Sequence, residues 1–551
     1  MDRIDGVDGK AIYLSQLHYT RSECLSSTSG AHPCETCRRR EICEAKISHA
    51  IESLKVLLAE HTELKIRTNR THSQIVNVLP IEIMSIIFVH CLPDYAQPQR
   101  EDDLPHKGLG ITPIKLGSVC KAWRDIAWST PELWTHISIP LTKLDSASVR
   151  FVNEWETRSG SLPLVVEMHE DTVRNSRGYA TIGEDIAKFD EHSLQNFLVN
   201  FVTHSSHRWR DAYLRLSFYN TNFVCSNISN TTSLRTLHLR LTANAAEDID
   251  HPWGMEWDNN QYPPMECKGY PGLKTFSVFR YRLKFLNSNW KEITGVTIGR
   301  LPLLDCLDLL RFAPLLETCH FLEMDDGFYD PSQYADDRIT HTNLQTLVVS
   351  TVDCMAEDLF DHVVLPNLVR LSYSVPPSHI VRLPLISFME QSACPLEKLE
   401  IEAYTVGYED LEPMLRHIPS LKHLRITPVY GEHDWCPVHH IKSFLRGLTS
   451  KQTVGRGTGE LVQSILPRLE TLQFSNAPDF PWELVPDIFG PPQSLCDSSR
   501  RPLKTFELLY DPFDNEIELI ISSDIKLCLK ALRDAGAQII WTSGGHDILP
   551  L

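Results

Sequence analysis

A chain of 551 residues is long enough for two or more domains, or for one domain followed by a repeat array. Its 42% hydrophobic and 23% charged content is ordinary for a folded protein. The formal net charge of -18 argues against general binding to nucleic acid or anionic membrane, both of which need a basic surface. The opening MDRIDGVDGK lacks the apolar core of a secretion signal, and no later run is long enough to span a bilayer. The expectation is a cytoplasmic or nuclear chain with no membrane contact. Its fifteen cysteines are then mostly buried thiols, and the N-x-S/T triplets at Asn69, Asn227 and Asn230 are chance matches.

Residues 1–40, rich in Ser, Thr, Gly and charge, predict a flexible N-terminal segment. At its end CETCRRREIC offers Cys34, Cys37 and Cys43, with Cys24, His32 or His49 in reach, as weak candidates for a four-ligand zinc site. The stretch resembles the first half of the fungal binuclear zinc cluster. It departs from that pattern in a cysteine spacing of five rather than six, and the second half is missing, since the next cysteine is Cys91. No cofactor is expected. Residues 41–70 predict an amphipathic helix, with Ile47, Ile51, Leu54, Leu58 and Leu64 near a 3.6-residue period. A short coiled coil and packing on the following domain both fit. The stripe falls short of the three to four heptads a coiled coil needs, which favours packing.

Residues 79–92, LPIEIMSIIFVHCL, predict a helix with no clearly polar face; only Glu82, Ser85 and His90 are polar. Pro80 suits its first turn and Glu82 the positive end of its dipole. A polar stretch from Pro93 to Pro113 reads as a loop. A second helix is predicted from Ile114, with Leu116, Val119, Cys120, Trp123, Ile126 and Ala127 on one wide apolar face. A third, short one begins at STPELW, with Thr130 as cap and Leu133 and Trp134 as its buried side. A unit of about 60 residues buries only roughly 60% of its unfolded surface. It can hardly hide both faces of its first helix.

LPIEIMSIIFVHCL followed by LGSVCKAWRDIAWSTPELWTHISI resembles an F-box. The residues that carry the resemblance are Leu79, Pro80, Glu82, Ile83, Ile87, Phe88, Val119, Cys120, Trp123, Leu133 and Trp134. The resemblance implies a three-helix unit over 75–140 that docks on a Skp-family adaptor, and through it on a cullin, as in SCF-type ubiquitin ligases. On that reading the adaptor contacts are Leu79, Pro80, Ile83, Ile87, Phe88, Val119, Cys120, Trp123, Leu133 and Trp134. The long 93–113 loop resembles a subgroup common in fungi, which continues W-x-x-R-S-G-S-x-P-L. Here that is Trp155, Arg158, Ser159, Gly160, Ser161, Pro163 and Leu164.

After a connecting region at 141–232, residues 233–551 repeat one unit: an aliphatic residue, two variable ones, an apolar one, a variable one, an apolar one. The first aliphatic positions are Leu234, Leu273, Ile293, Leu316, Leu344, Leu368, Leu396, Leu421, Leu469 and Leu503. Steps of roughly 20–29 residues are those of leucine-rich repeats. The longer step after Leu421 leaves room for a missed unit. Each unit predicts a short strand, with helical stretches between. The fold class expected is therefore α+β and multidomain: a small three-helix F-box followed by a degenerate α/β leucine-rich-repeat-like solenoid. Arg235, Lys274, Arg370, Lys398, Lys422, Arg425 and Arg468 are candidate target-reading residues on the strands, or simply a solvated face.

No G-x-S-x-G, H-E-x-x-H or G-x-x-x-x-G-K-[ST] motif occurs. VGRGTGE ends in Glu460 where a phosphate loop carries Lys. CPVHH (Cys436, His439 and His440, with His433 nearby) reads better as a helix start than as a zinc site. The expectation is a non-catalytic substrate-recognition subunit: adaptor and cullin on one side, an unidentified protein target on the other, no nucleic acid. Two alternatives stay open. One is a repeat scaffold that never joins a cullin. The other is a zinc-dependent regulator using the N-terminal cysteines.

Overall fold

The computed structural model describes residues 35–72, 78–92, 112–170, 172–174, 180–182, 191–228, 232–242, 270–279, 283, 286, 289–324, 338–351, 356–374, 385–403, 408–428, 438–449, 465–475, 480–495, 501–510, 521–543, 546–547 and 549. Cys34, the 93–111 loop, VGRGTGE, His433 and Cys436 lie outside them. The chain divides into two compact units, Met1–Leu92 with Thr112–Thr130, and Pro93–Ile111 with Pro131–Leu551.

The first unit opens with α1 (Glu35–His72), one helix of 38 residues. It takes in residues 35–40, which read as flexible from composition. Pairs such as Arg39–Glu35 (2.9 Å) and Arg67–Glu63 (2.8 Å), four residues apart, add about 0.3–0.5 kcal/mol each. Of its predicted apolar stripe, Ile47 and Ile51 are half-buried, while Leu54, Leu58 and Leu64 are at least half exposed.

Next comes α2 (Ile81–His90), entered through Pro80, whose carbonyl accepts from Met84 N at 3.1 Å. The single helix predicted from Ile114 is two: α3 (Thr112–Val119) and α4 (Lys121–Ser129). The break is Cys120, extended at φ -158° and ψ 173°, whose sulfur accepts the Trp123 N–H at 3.5 Å and so caps α4. A thiol is a weak cap acceptor, absent from the usual Ser/Thr/Asp/Asn set, so the apolar period ran straight through it. Thr130 is not the cap of a following helix. Its hydroxyl donates to Ile126 O (2.8 Å) and lies 3.0 Å from Ser85 Oγ, tying α4 to α2. Met84, Phe88, Ile126 and Ala127 form the core, and Phe88 packs on Trp123 with ring centroids 4.8 Å apart. Gly117 lets Trp128 approach; a Cβ there would lie 2.1 Å from the indole ring.

The second unit is built on a 15-stranded sheet. In chain order the strands of the unit are β1 (His136–Pro140), β2 (Leu164–His169), β3 (Thr172–Arg174), β4 (Ala180–Ile182), β5 (Trp209–Leu216), β6 (Thr236–Leu241), β7 (Thr275–Phe279), β8 (Gly295–Gly299), β9 (Thr318–Met324) and β10 (Ile339–Thr340). They continue with β11 (Thr346–Thr351), β12 (Val363–Val364), β13 (Arg370–Ser374), β14 (Lys398–Ala403), β15 (His423–Pro428), β16 (Thr471–Ser475), β17 (Thr505–Tyr510), β18 (Gln538–Ser543) and β19 (His546–Asp547). Apart from the short pairs β3–β4 and β10–β12, every strand lies beside its predecessor in the chain, and all pair in parallel until β19 turns back antiparallel on β18.

One apolar column runs in register across the sheet: Ile137, Val166, Ala212, Leu237, Phe276, Val296, Cys319, Leu347, Leu371, Leu399, Leu424, Leu472, Phe506 and Ile539. All ten aliphatic positions read from the sequence are buried, eight of them wholly, each three residues before a member of this column. Among the described residues no strand lies between β15 and β16, which pair directly, so the long step after Leu421 hides no missed strand in the sheet. Helices from α5 (Ser146–Arg158), α6 (Glu191–Ser205) and α7 (Phe218–Asn227) onward bury apolar residues such as Val152, Leu198 and Val224.

The sheet starts at His136, well before residue 233. The sequence boundaries at 140 and 233 are corrected accordingly: part of the 75–140 stretch and all of the described 141–232 region belong to the sheet-bearing unit. Leu133 and Trp134 sit there too, in a single 3-10 turn (Pro131–Trp134). Trp134 is 2% exposed, T-shaped against Trp155 with ring centroids 4.6 Å apart, and the Arg158 guanidinium lies 4.8 Å over its face. The W-x-x-R-S-G-S-x-P-L stretch is the end of α5 and the turn into β2. Gly160 takes φ +59° just past the helix, and the buried Ser159 hydroxyl accepts from Arg208 at 2.6 Å.

Candidate protein-docking surfaces

In α2 the residues divide by face. Met84 and Phe88 point into the core, each 1% exposed, and Ser85 faces Thr130. About the helix axis, Ile83, Ile86, Ile87 and His90 occupy the opposite arc. Ile81, Ile83, Ile86 and Ile87 are 42–54% exposed, and Val119 at the end of α3 is 59% exposed. Large aliphatics clustered on one helix face mark an interaction surface rather than scattered surface apolar residues.

The ten sequence-predicted contacts therefore separate. Pro80, Ile83, Ile87 and Val119 are exposed; Leu79, Cys120 and Trp123 are half-buried, the last two holding α4 in place. Phe88 is core, and Leu133 and Trp134 are core of the second unit; none of the three is open to a partner. Ile81 and Ile86 are exposed as well, though not among the ten. Their signal was present, since a helix with no wet face must use every side, but the resemblance named only its own pattern positions.

The second surface is the outer face of the sheet, lined by the residues between the column members. At its first two strands this face carries buried polar residues. His136 and Glu167 are 6% and 8% exposed with Nε2 and Oε2 3.4 Å apart. Burial pushes the Tyr213 hydroxyl up to about 12, with Asp211 adding to the shift. His238 lies between Tyr213 and Phe279, at ring distances of 5.9 and 5.3 Å, and burial, aided by Arg240, holds it down to about 4. Burial also lowers His320.

Further along, the face is wet and polar: Ser372, Glu400, Arg425, Gln473 and Glu507 stand in register and half-buried. Of the basic residues singled out above, two pair with carboxylates and three donate to uncharged oxygens. Lys398 meets Glu400 at 2.7 Å and Lys422 meets Glu397 at 2.6 Å, while Arg425 donates to Ser475 Oγ at 3.2 Å. Arg235 donates to Gly272 O and Lys274 to Glu292 O, whereas Arg370 and Arg468 are exposed. This is a mixed polar surface rather than a basic one.

His238 makes stability depend on pH. Its folded-state value lies below the ordinary 6.5, so the unfolded chain takes up the proton first as pH falls. Stability present above pH 6.5 is lost between 6.5 and 4, by about 2 kcal/mol at pH 5 and up to about 3 kcal/mol below pH 4. His238→Gln is expected to flatten this part of the profile, measured as urea midpoints at pH 7 and pH 5. Equal pH dependence in both proteins would show that His238 is solvated.

Among the described residues no three His, Cys, Asp or Glu side chains are grouped to hold a metal ion. Cys37 and Cys43 both lie on α1, six residues apart, which places them on different sides of the helix. Among those residues no helix is long and apolar enough to cross a membrane. No protein-family model matches the chain, and no curated protein matches it.

Proposed function

We propose that this chain is a non-catalytic substrate-recognition subunit of an SCF-type ubiquitin ligase. In this reading the first unit is an F-box that docks on a Skp-family adaptor, and the sheet-bearing unit is a degenerate leucine-rich-repeat solenoid that holds the target. The observation that carries the reading is the exposed face of Ile83, Ile86 and Ile87, with Val119, on a unit whose opposite face is its core. That face is where the F-box resemblance puts the adaptor. The repeat reading rests on a buried aliphatic anchor before ten of the strands and on parallel strands in chain order, the arrangement from which solenoids are stacked. The mixed polar outer face suits protein recognition. Catalysis would be by proximity alone, the target being held near a ubiquitin-charged enzyme on the cullin.

Co-expression of the full chain with a Skp-family adaptor, followed by gel filtration, tests the docking. A stoichiometric complex is expected, and addition of a cullin should extend it to a ternary one. A complex that excludes the cullin would leave a scaffold. A folded chain that elutes apart from the adaptor would overturn the reading.

A further inference from the structure

We propose that α1 pairs with α1 of a second copy of this chain in a parallel two-stranded coiled coil. The helix is 38 residues long, and its apolar seam runs through about three heptads, residues 43–64. Cys43, Ile47, Ala50, Leu54, Leu57 and Leu64 follow steps of four and three, with His61 filling the one remaining seam position between Leu57 and Leu64. Ile47 is half-buried, but Leu54, Leu57 and Leu64 are 50%, 60% and 53% exposed, so the seam from Leu54 onward stands largely uncovered. A helix gains most of its stability from burying an apolar face, and this one has the seam to do so.

Charge decides what fits it. In a parallel pair, the residue flanking one side of the seam meets the partner-chain residue five positions further on. Arg39 then faces Glu44, and Glu60 faces Lys65, both attractive. Neither Glu60 nor Lys65 has an opposite charge three or four residues away on its own helix, the spacing at which helical neighbours pair. The helix is thus complementary to itself. His61, a polar side chain at an inner position, favours one register over slipped ones.

Gel filtration with light scattering on the full chain is expected to show a dimer at micromolar concentration. Leu54→Glu with Leu57→Glu should weaken association about a hundredfold or more, leaving a folded monomer by circular dichroism. Because that variant could also lose helix, Glu60→Lys supplies a gentler one. It should weaken the dimer, and Glu60→Lys with Lys65→Glu should restore it. In the native sequence, diamide, which takes two electrons and two protons from two thiols, should join Cys43 to Cys43 of the second copy, a product absent from Cys43→Ser. A monomeric native chain, a dimer indifferent to the leucine changes, or no cross-link at Cys43 and no charge rescue would each overturn the proposal.

Discussion

Ile83→Ala with Ile87→Ala is expected to abolish co-purification with a Skp-family adaptor and to leave the chain folded. Both side chains are more than two-fifths exposed and face away from Met84 and Phe88, so truncation opens no cavity, and alanine favours helix. Truncating a central interface anchor typically costs at least about 2 kcal/mol, so the pair should cost about 4 kcal/mol, roughly a thousandfold in affinity. Phe88→Ala is the contrasting change. It removes a 1%-exposed ring from the core and from its contact with Trp123, and should cost about 3–5 kcal/mol of fold stability instead. Adaptor affinity of the double variant within tenfold of the parent, measured by calorimetry, would place the docking elsewhere.

The second large effect is expected at Glu170, which is 5% exposed at the end of β2. Its carboxylate receives Ser217 N at 2.8 Å, Asn220 Nδ2 at 2.6 Å, and the hydroxyls of Ser217 and Thr242 at 3.2 Å each. Ser217 stands at the start of α7 and its own side chain makes no capping bond, so Glu170 supplies the cap from a neighbouring element and sits at the positive end of that helix. Glu170→Ala leaves buried donors without an acceptor, at about 1–3 kcal/mol for each left unsatisfied, and a total loss of about 4 kcal/mol is expected. Glu170→Gln keeps the acceptor oxygen and should lose less. Urea midpoints measured for both variants check this; a shift for Glu170→Ala no larger than that of a surface substitution would mean that water replaces the carboxylate.

The sheet was legible where the anchor before each strand is aliphatic. At Leu344, Leu368, Leu396 and Leu421 the unit reads off the page, and each is buried. It was illegible where the equivalent position holds something else. Trp134 precedes β1, Pro163 precedes β2, Trp209 opens β5 and Gly536 precedes β18, each three residues before that strand's member of the apolar column. An indole fills the anchor site as a leucine does, but a pattern written in aliphatics passes over it. Trp134 was misassigned to adaptor contact for this reason: a Leu-Trp pair ending a helical motif and a Trp anchor opening a sheet look identical in one dimension. In the first unit the apolar inventory announced the helices, but not which side each residue faced. Phe88 and Ile87 are neighbours of like character, and only packing tells the core residue from the exposed one.

Because each strand of the sheet pairs with its neighbours in chain order, the ladder is stitched from close-range contacts despite the length of the chain. Loop closure then costs little at any step, and folding can begin at several points and spread along the array. Such growth leaves a raw edge wherever it stops. At the C-terminal end β19 turns back to pair with β18, and the Asp547 carboxylate accepts from Trp541 N and from Arg533. This short hairpin covers part of the last strand's open hydrogen-bonding groups, which would otherwise template the addition of a foreign strand.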